Sequence, residues 1–596
     1  MSGNQQPLRQ RHGVWALGFS AAAEPLLVQL QAAGLVDGCL QAEQLEEHWP
    51  RAEAFVLVAA CGLVVRRIAP LLQGKTLDPA VVVLDPGGRF AIPLLGAHRA
   101  GGEALCQRLA AVLGAAVVAT GSSSGRGQLA LDSFGLRWGW RPGPGGDWNA
   151  LMQRAARSRD PLPVLQEAGN RSWRQLGAAT GLEDWQPQAG TPAAMQVTAR
   201  RGEGCRWHPP CLWLGLGCER HTSLALLERL VEQQLQAAGL ASEAVAGLAS
   251  IDRKADEPAL LELARRRQWP LRWFGAEELG SVPVPNPSAA VAAEMGTASV
   301  AEAAALLAAG PEARLLLPKQ VEHHQPGERG AATLAIAQAS EQWAPGRGQL
   351  HLVGSGPGRL DLLTPDARRA LAEASVWVGY GLYLDLLEPL RRPDQLRCDG
   401  QLTQERARCQ QALDLANQGL NVALVSSGDS GIYAMAGLAL ELWLAQPADG
   451  RPGFTVHPGL SALQLAAARA GAPLMHDFCT ISLSDRLTPW TVIEQRLRAA
   501  ASGDFVVALY NPRSLGRDWQ LGRARELLLE GRPPSTPVVL ARQLGRAEEQ
   551  VSIHTLGDLP IAEVDMLTLV LVGNSTSRSA DGWVVTPRGY PGAELT

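Results

Sequence analysis

Short apolar runs alternate with amphipathic stretches from Val14 onward. In the first 140 residues VWALGFS, AFVLVAA, VVVLD and AAVVAT predict strands, and AEPLLVQLQAAGL and GGEALCQRLAAVLG predict helices. Strands separated by helices predict a mostly parallel α/β sheet. The pattern restarts at Cys211 with strand LWLGLGC, helix LALLERLVEQQLQAAG, strand VAGLASI, helix ALLELARRRQ and an Ala-rich helix opening at Gly296. It restarts again with QLHLVG at 349–354, and VALV, CTISLSD, FVVALY, PVVLA and MLTLVLV continue it. Residues 141–205 are uneven and rich in Pro, Gly and Trp, which reads as connecting structure. Residues 321–347 are polar, carry the paired His323–His324, and read as a linker. The division is therefore 1–140, 141–205, 206–320, 321–347 and 348–596, with two smaller α/β domains ahead of a larger α/β half.

Several apolar runs stop at small or polar loops, the layout of a ligand cleft at the carboxyl edge of a sheet. The run Val422–Val425 ends at Ser426-Ser427-Gly428-Asp429-Ser430-Gly431, and helical character resumes at Ile432. Gly428 and Gly431 permit close backbone approach and Asp429 offers one fixed acceptor, although a plain strand-to-helix turn looks the same. QLHLVG ends at Gly354-Ser355-Gly356-Pro357-Gly358. A dinucleotide loop needs G-x-G-x-x-G. Here the third glycine is one residue early, Pro357 removes a donor, and no acidic residue follows Gly379-Tyr380-Gly381 to take a ribose. Pro458-Gly459-Leu460-Ser461-Ala462 opens a helix, Pro489 sits at another helix start, and FVVALY ends at Asn511-Pro512-Arg513-Ser514. In the first domain two loops are read, Cys61–Pro70 and Leu94–Glu103. The second sets His98 and a glycine pair ahead of a helix, where main-chain N–H groups meet an anion or simply turn the chain. The charge run Arg253, Lys254, Asp256, Glu257 reads as a solvated face.

Composition narrows the classes. A net charge of −4 gives no electrostatic case for nucleic acid or an anionic membrane. Nine cysteines without a Cys-x-x-Cys pair argue against a disulfide framework and a zinc or iron–sulfur centre, and suit a reduced, cytoplasmic protein. No uncharged apolar run approaches ~18 residues, and MSGNQQPLRQRHG has no signal-peptide core, so no membrane segment is expected.

GSGPG (354–358), SSGDSGIYAMAG (426–437), PGLSA (458–462), GAPLMHDF (471–478), ISLSDRLTPW (481–490), LYNPRS (509–514), VDM (564–566), VGNS (572–575) and TPRGY (586–590) stand in one order along the chain. Together they resemble the precorrin-3B C(17)-methyltransferases of cobalamin synthesis. The glycine and GD loops are those of the wider tetrapyrrole methylases; ISLSDRLTPW and LYNPRS narrow the match. Ser430 stands where that family usually has proline, and Ala434 where it has glycine. In the first half GLVVRRIAP, LDPAVVVLD, SIDRKADEP, PNPS and GTASVAEAAA resemble cobalt-precorrin-5A hydrolase. That family's Ser-Gly-His-x-Gly-Gly-Ala-Asn appears as Gly96-Ala97-His98-Arg99-Ala100-Gly101-Gly102-Glu103, and its Thr-Ala-Thr-Asp as Gly121-Ser122-Ser123-Ser124.

The resemblance implies a two-lobed tetrapyrrole methylase fold with mainly parallel sheets, S-adenosyl-L-methionine as methyl donor, a tetrapyrrole acceptor and a homodimer through the methylase domain. It places Pro357, Ser427, Gly428, Asp429, Ile432, Ser461, Ala462, Asn511 and Gly545 around the cofactor. Arginine forks match a macrocycle rich in carboxylates. Gly356, Arg486, Arg513, Arg588 and His98 are accordingly expected on the substrate, with Arg517 and Arg546 beside them. Tyr380, His476, Asp477 and Asp485 are the candidates for a catalytic base or steering hydrogen bond. Two alternatives stand: a non-catalytic corrinoid scaffold for the first half, and a nicotinamide-dependent oxidoreductase for the second.

Overall fold

The computed structural model describes residues 11–74, 77–97, 100–118, 130–157, 160–186, 192–342, 348–392, 394–401, 404–514 and 516–591. These residues form six sheets in which parallel pairings predominate. The first sheet has six strands over residues 14–117, and Phe90–Leu95 returns antiparallel to Ala80–Leu84. Asp85 closes that hairpin by accepting from the N–H groups of Arg89 and Phe90 at 2.7 and 2.6 Å. Cys61–Ile68, read above as a loop, is a helix whose Val64 and Ile68, one turn apart, are buried while Val65 is exposed.

Residues 141–208 correct the expectation of connecting structure. Arg141–Pro142, Leu162–Gln166, Leu182–Asp184, Met195–Val197 and Arg206–His208 form a five-stranded sheet of their own. Strands of two to five residues are too short to show a period, and the tryptophans are their core: Trp138, Trp140, Trp173 and Trp207 are all buried. The linker expectation for 321–347 is also corrected. Arg314–His323 and Ala331–Gln338 are antiparallel strands of the third sheet, paired onto Leu212–Cys218. The first of them is an edge strand with no fully buried residue, and its second half, KQVEH, is largely polar. Lys254 and Glu257 are buried rather than on a solvated face, and Glu257 accepts from the His221 N–H at 3.1 Å.

Residues 348–591 form two lobes. The first has a fully parallel sheet in the order Leu396–Gly400, Val376–Tyr380, Asn421–Ser426, Gln349–Gly354, Gly453–His457. Helix Pro365–Glu373, which follows Gln349–Gly354, packs on one face of this sheet with Val353 and Val425. Helix Ala436–Leu444, which follows the adjacent Asn421–Ser426, packs on the other with Leu350 and Leu424. Adjacent parallel strands whose helices leave to opposite faces open a crevice between their carboxyl ends. The second lobe pairs Phe478–Ser482 in parallel with Val506–Tyr510 and adds three antiparallel pairings through Thr568–Val572, Pro537–Arg542 and Gln550–Thr555.

The tryptophan-rich middle sheet and the first lobe share one apolar core, running from Phe134, Trp140 and Trp207 to Leu413, Leu424 and Met435. Gln342 is buried at this junction with all its capacity used. It donates to the carbonyls of Trp138 and Gln418 at 2.7 and 2.8 Å and accepts from Trp140 Nε1 and Asn170 N at 2.6 and 3.1 Å.

Candidate active site

Three loops meet in the crevice of the first lobe. Gly356 and Gly428 exchange both main-chain hydrogen bonds, at 3.1 and 2.8 Å, so the loops after two adjacent strands are zipped together. Asp429 accepts from the N–H of Gly431 at 2.8 Å and of Gly459 at 3.1 Å, which pins the Pro458–Ser461 loop to them. The contact is backbone to backbone: a Cβ on Gly459 would stand 2.1 Å from the Gly428 carbonyl and 2.6 Å from that of Gly354. Ser461 closes a capping box with Gln464 and starts helix Ala462–Ala470. The second lobe supplies the fourth loop. Gly545, at φ +71°, lies against Pro357, where an added Cβ would come within 3.2 Å. Pro357, Asp429, Ser461 and Gly545 therefore belong to one constellation.

Two tyrosines bridge the lobes. Tyr433 and Tyr510 have ring centroids 5.2 Å apart, and the Tyr433 hydroxyl donates to the Thr480 carbonyl at 2.9 Å. Tyr510 accepts from the Leu463 N–H at 3.2 Å, and burial pushes its phenol above the ordinary value. Tyr433 has φ +52°, which delays the helix expected from Ile432 until Ala436. Neither tyrosine was singled out from the sequence, although both lie inside quoted motifs.

The remaining candidates divide. Ser427 and Ala462 are half-buried, and Ile432 is on the rim. Asn511 has φ +51° and donates to Ser482 Oγ at 3.1 Å. Tyr380 ends its strand beside Tyr383, and Tyr383 in turn senses Arg546 of the second lobe. Asp485 accepts from Gln520 at 3.0 Å. His476 and Asp477 are not brought to the crevice. They precede strand Phe478–Ser482 at the end opposite Ser482 and Asn511, and Asp477 is 84% exposed. Arg513 is committed elsewhere, its guanidinium donating to the carbonyls of Ile561 and Ala562 at 3.0 and 2.8 Å. Arg486 and Arg588 are exposed, and His98 lies outside the described residues.

A buried relay lies behind the Pro458–Ser461 loop. His457 Nδ1 meets Asp366 at 2.6 Å and its Nε2 meets His351 Nδ1 at 3.0 Å, leaving His351 Nε2 buried without a partner. Burial, then the neighbouring His457, lowers the His351 pKa to about 4. Burial opposes ionisation of Asp366, but Arg369 and His457 outweigh it and hold the carboxyl below its ordinary value. Arg369 also donates to the Ala33 carbonyl of the first domain at 3.1 Å. No local motif announces this relay: its members are separated by up to 106 residues.

Comparison with known proteins fits this geometry. Three family descriptions match in turn: Cobalamin synthesis G N-terminal at 43–124, Cobalamin synthesis G C-terminus at 212–337, and Tetrapyrrole (Corrin/Porphyrin) Methylases at 349–560. A probable cobalt-factor III C(17)-methyltransferase of Salmonella typhimurium is 48% identical over 241 residues, covering 40% of this chain and 99% of that protein. This chain belongs to the tetrapyrrole methylase family. A precorrin-3B C(17)-methyltransferase of a Sinorhizobium species is 45% identical over 252 residues, covering 41% of this chain and 98% of that one. The crystal structure of the methyltransferase CobJ matches at 42% identity over 40% of this chain and 100% of its own, with a TM-score of 0.39. The second half is a methyltransferase region and the first a Cobalamin synthesis G region. Among the described residues no group of three or more His, Cys, Asp or Glu could hold a metal, and no helix is long and apolar enough to cross a membrane.

Proposed function

We propose that residues 348–591 methylate carbon 17 of a reduced tetrapyrrole, precorrin-3B or its cobalt counterpart, with contraction of the ring and S-adenosyl-L-methionine as donor. The carrying observation is the closure of four glycine-bearing loops, three from one lobe and one from the other, around Pro357, Asp429, Ser461 and Gly545. Gly354 and Gly459 let the loops close backbone to backbone where side chains would clash, and the Ser426 and Ser430 hydroxyls, buried without partners, suit the polar groups of a cofactor.

When bound, S-adenosylmethionine supplies an electrophilic methyl group on a sulfonium. The chain's task is then to align the reacting atoms and exclude water. Pro357, Ser427, Gly428, Asp429, Ile432, Ser461, Ala462, Asn511 and Gly545 would hold the donor. The Asp429 carboxylate fixes two loop N–H groups and so shapes the crevice. Tyr510, a phenol whose pKa burial raises further, is protonated through the neutral range and can donate a hydrogen bond. Arg486, Arg546 and Arg588, which form no ion pair among the described residues, suit the acidic rim of the acceptor. Tyr380, beside Tyr383, which in turn senses Arg546, is better placed than His476 or Asp477 to steer the acceptor. A homodimer through this half, and a second, lactone-opening activity on cobalt-precorrin-5A in the first half, complete the proposal.

Calorimetry on the whole chain with S-adenosylhomocysteine and, separately, NAD(P) tests the donor. Binding of the nicotinamide cofactor alone would overturn the assignment. Acetaldehyde release from cobalt-precorrin-5A, assayed on the whole chain, tests the second activity. A fragment ending at residue 320 would lose strand Ala331–Gln338 from the third sheet.

A further inference from the structure

Arg517 is 7% exposed, yet it forms no ion pair among the described residues. Its Nη1 donates to Ser484 Oγ at 2.7 Å, and its Nη2 donates to the Asn511 carbonyl at 3.2 Å and lies 3.8 Å from Met566 Sδ. Its Nε is buried with no partner. Ser484, Asn511 and Met566 come from ISLSDRLTPW, LYNPRS and VDM respectively. Three separate segments thus close on one guanidinium. Asn511 is held from its other side as well, donating to Ser482 Oγ at 3.1 Å, and Ser482 Oγ accepts from the Ser484 N–H at 3.3 Å.

The grip bears on the backbone of Asn511. It stands at φ +51°, the left-handed region, which asparagine enters more readily than other side-chain-bearing residues but still at some cost relative to glycine. A left-handed residue persists where its surroundings over-determine it. Burying an arginine is also costly, and here the nearby Asp485 offsets part of that cost while Arg486 adds to it. A guanidinium presents donors in a fixed fork, which lets Arg517 reach a carbonyl and a hydroxyl together.

We infer that Arg517 is a positioning residue of the methyl-transfer site, acting through Asn511. It holds the Asn511 main chain left-handed so that Tyr510-Asn511 face the crevice, and it fixes the base of the Ser484–Pro489 loop to the same frame. The inference rests on the proposed cofactor role of Asn511.

The test is a double-substitution cycle on the whole chain, with Arg517→Met, Asn511→Gly and the pair, read by calorimetric affinity for S-adenosylhomocysteine and by unfolding midpoint. Arg517→Met is expected to weaken binding about tenfold. Arg517→Lys keeps the charge without the fork and should recover little of that loss. Glycine adopts positive φ unaided, so in the Asn511→Gly background the same Arg517→Met change should cost only about twofold. Equal losses in both backgrounds would mean general loosening and overturn the inference, as would Arg517→Met binding like the parent. Failure of the parent chain to bind S-adenosylhomocysteine would instead remove the cofactor assignment, and this inference with it.

Discussion

Gly459→Ala probes the crevice directly. The added Cβ would lie 2.1 Å from the Gly428 carbonyl oxygen and 2.6 Å from the Gly354 oxygen, with backbone on both sides. Restoring an ordinary 3.4 Å contact to Gly428 requires about 1.3 Å of loop movement, and no flexible side chain can absorb it. The movement must part the Gly356–Gly428 pairing or the Asp429–Gly459 hydrogen bond. Overpacking of this kind costs ~1–3 kcal/mol. That lowers the unfolding midpoint by about 2–4 °C per kcal/mol for a domain of this size. Displacement of about 1 Å at an alignment site costs on the order of 100-fold in kcat/KM. The assay pairs differential scanning calorimetry with methyl transfer from radiolabelled S-adenosylmethionine. Gly437→Ala is the control: nothing lies within 4 Å of its added Cβ on helix Ala436–Leu444, so it should stabilise by ~0.5–1 kcal/mol without affecting turnover. Gly459→Ala with parental turnover and cofactor affinity would show that the three loops do not form the donor site.

Stability should depend on pH through His351. Its folded pKa of about 4 lies below the ordinary histidine value of 6.5, so the unfolded chain binds the proton more readily. The contribution is present above pH 6.5 and lost as pH falls toward 4, by on the order of 3 kcal/mol. His351→Gln should flatten that slope in urea titrations between these limits. Arg513→Ala removes two carbonyl hydrogen bonds at Ile561–Ala562, so it should lower the unfolding midpoint by the equivalent of ~1–2 kcal/mol and leave KM for the tetrapyrrole unchanged. Gln342→Ala strands the Trp140 and Asn170 N–H groups inside the junction. It should cost on the order of 3 kcal/mol and lower the calorimetric midpoint of both halves together.

The long buried strands were legible because they carry continuous apolar runs: Val245–Ile251, Asn421–Ser426 and Val506–Tyr510 match the sequence reading almost residue for residue. Loops were legible where glycine or proline marks a close approach, as at Gly354–Gly358 and Pro458–Ser461. The middle sheet was not, because strands such as Arg141–Pro142 and Arg206–His208 are shorter than one period and are held by tryptophans distant in sequence. The end of Arg314–His323 was hidden because an edge strand buries none of its residues fully, so its polar end resembles a linker. Side-chain commitments were invisible as well. Nothing local shows that Arg513 serves carbonyls some 50 residues away, or that His476 and Asp477 sit at the far end of their strand. The His351–His457–Asp366 relay is likewise purely tertiary.

The common core of Trp140, Trp207, Leu413 and Met435 governs what happens when the chain is cut. A protease nick between Gln342 and Gly348 would sever the polypeptide without freeing either piece, because separation would wet a tryptophan-lined seam. The fragments should co-elute on gel filtration under native conditions and part only in denaturant. The two halves are therefore joined by packing as well as by the chain, and one cut in the polypeptide does not set them apart.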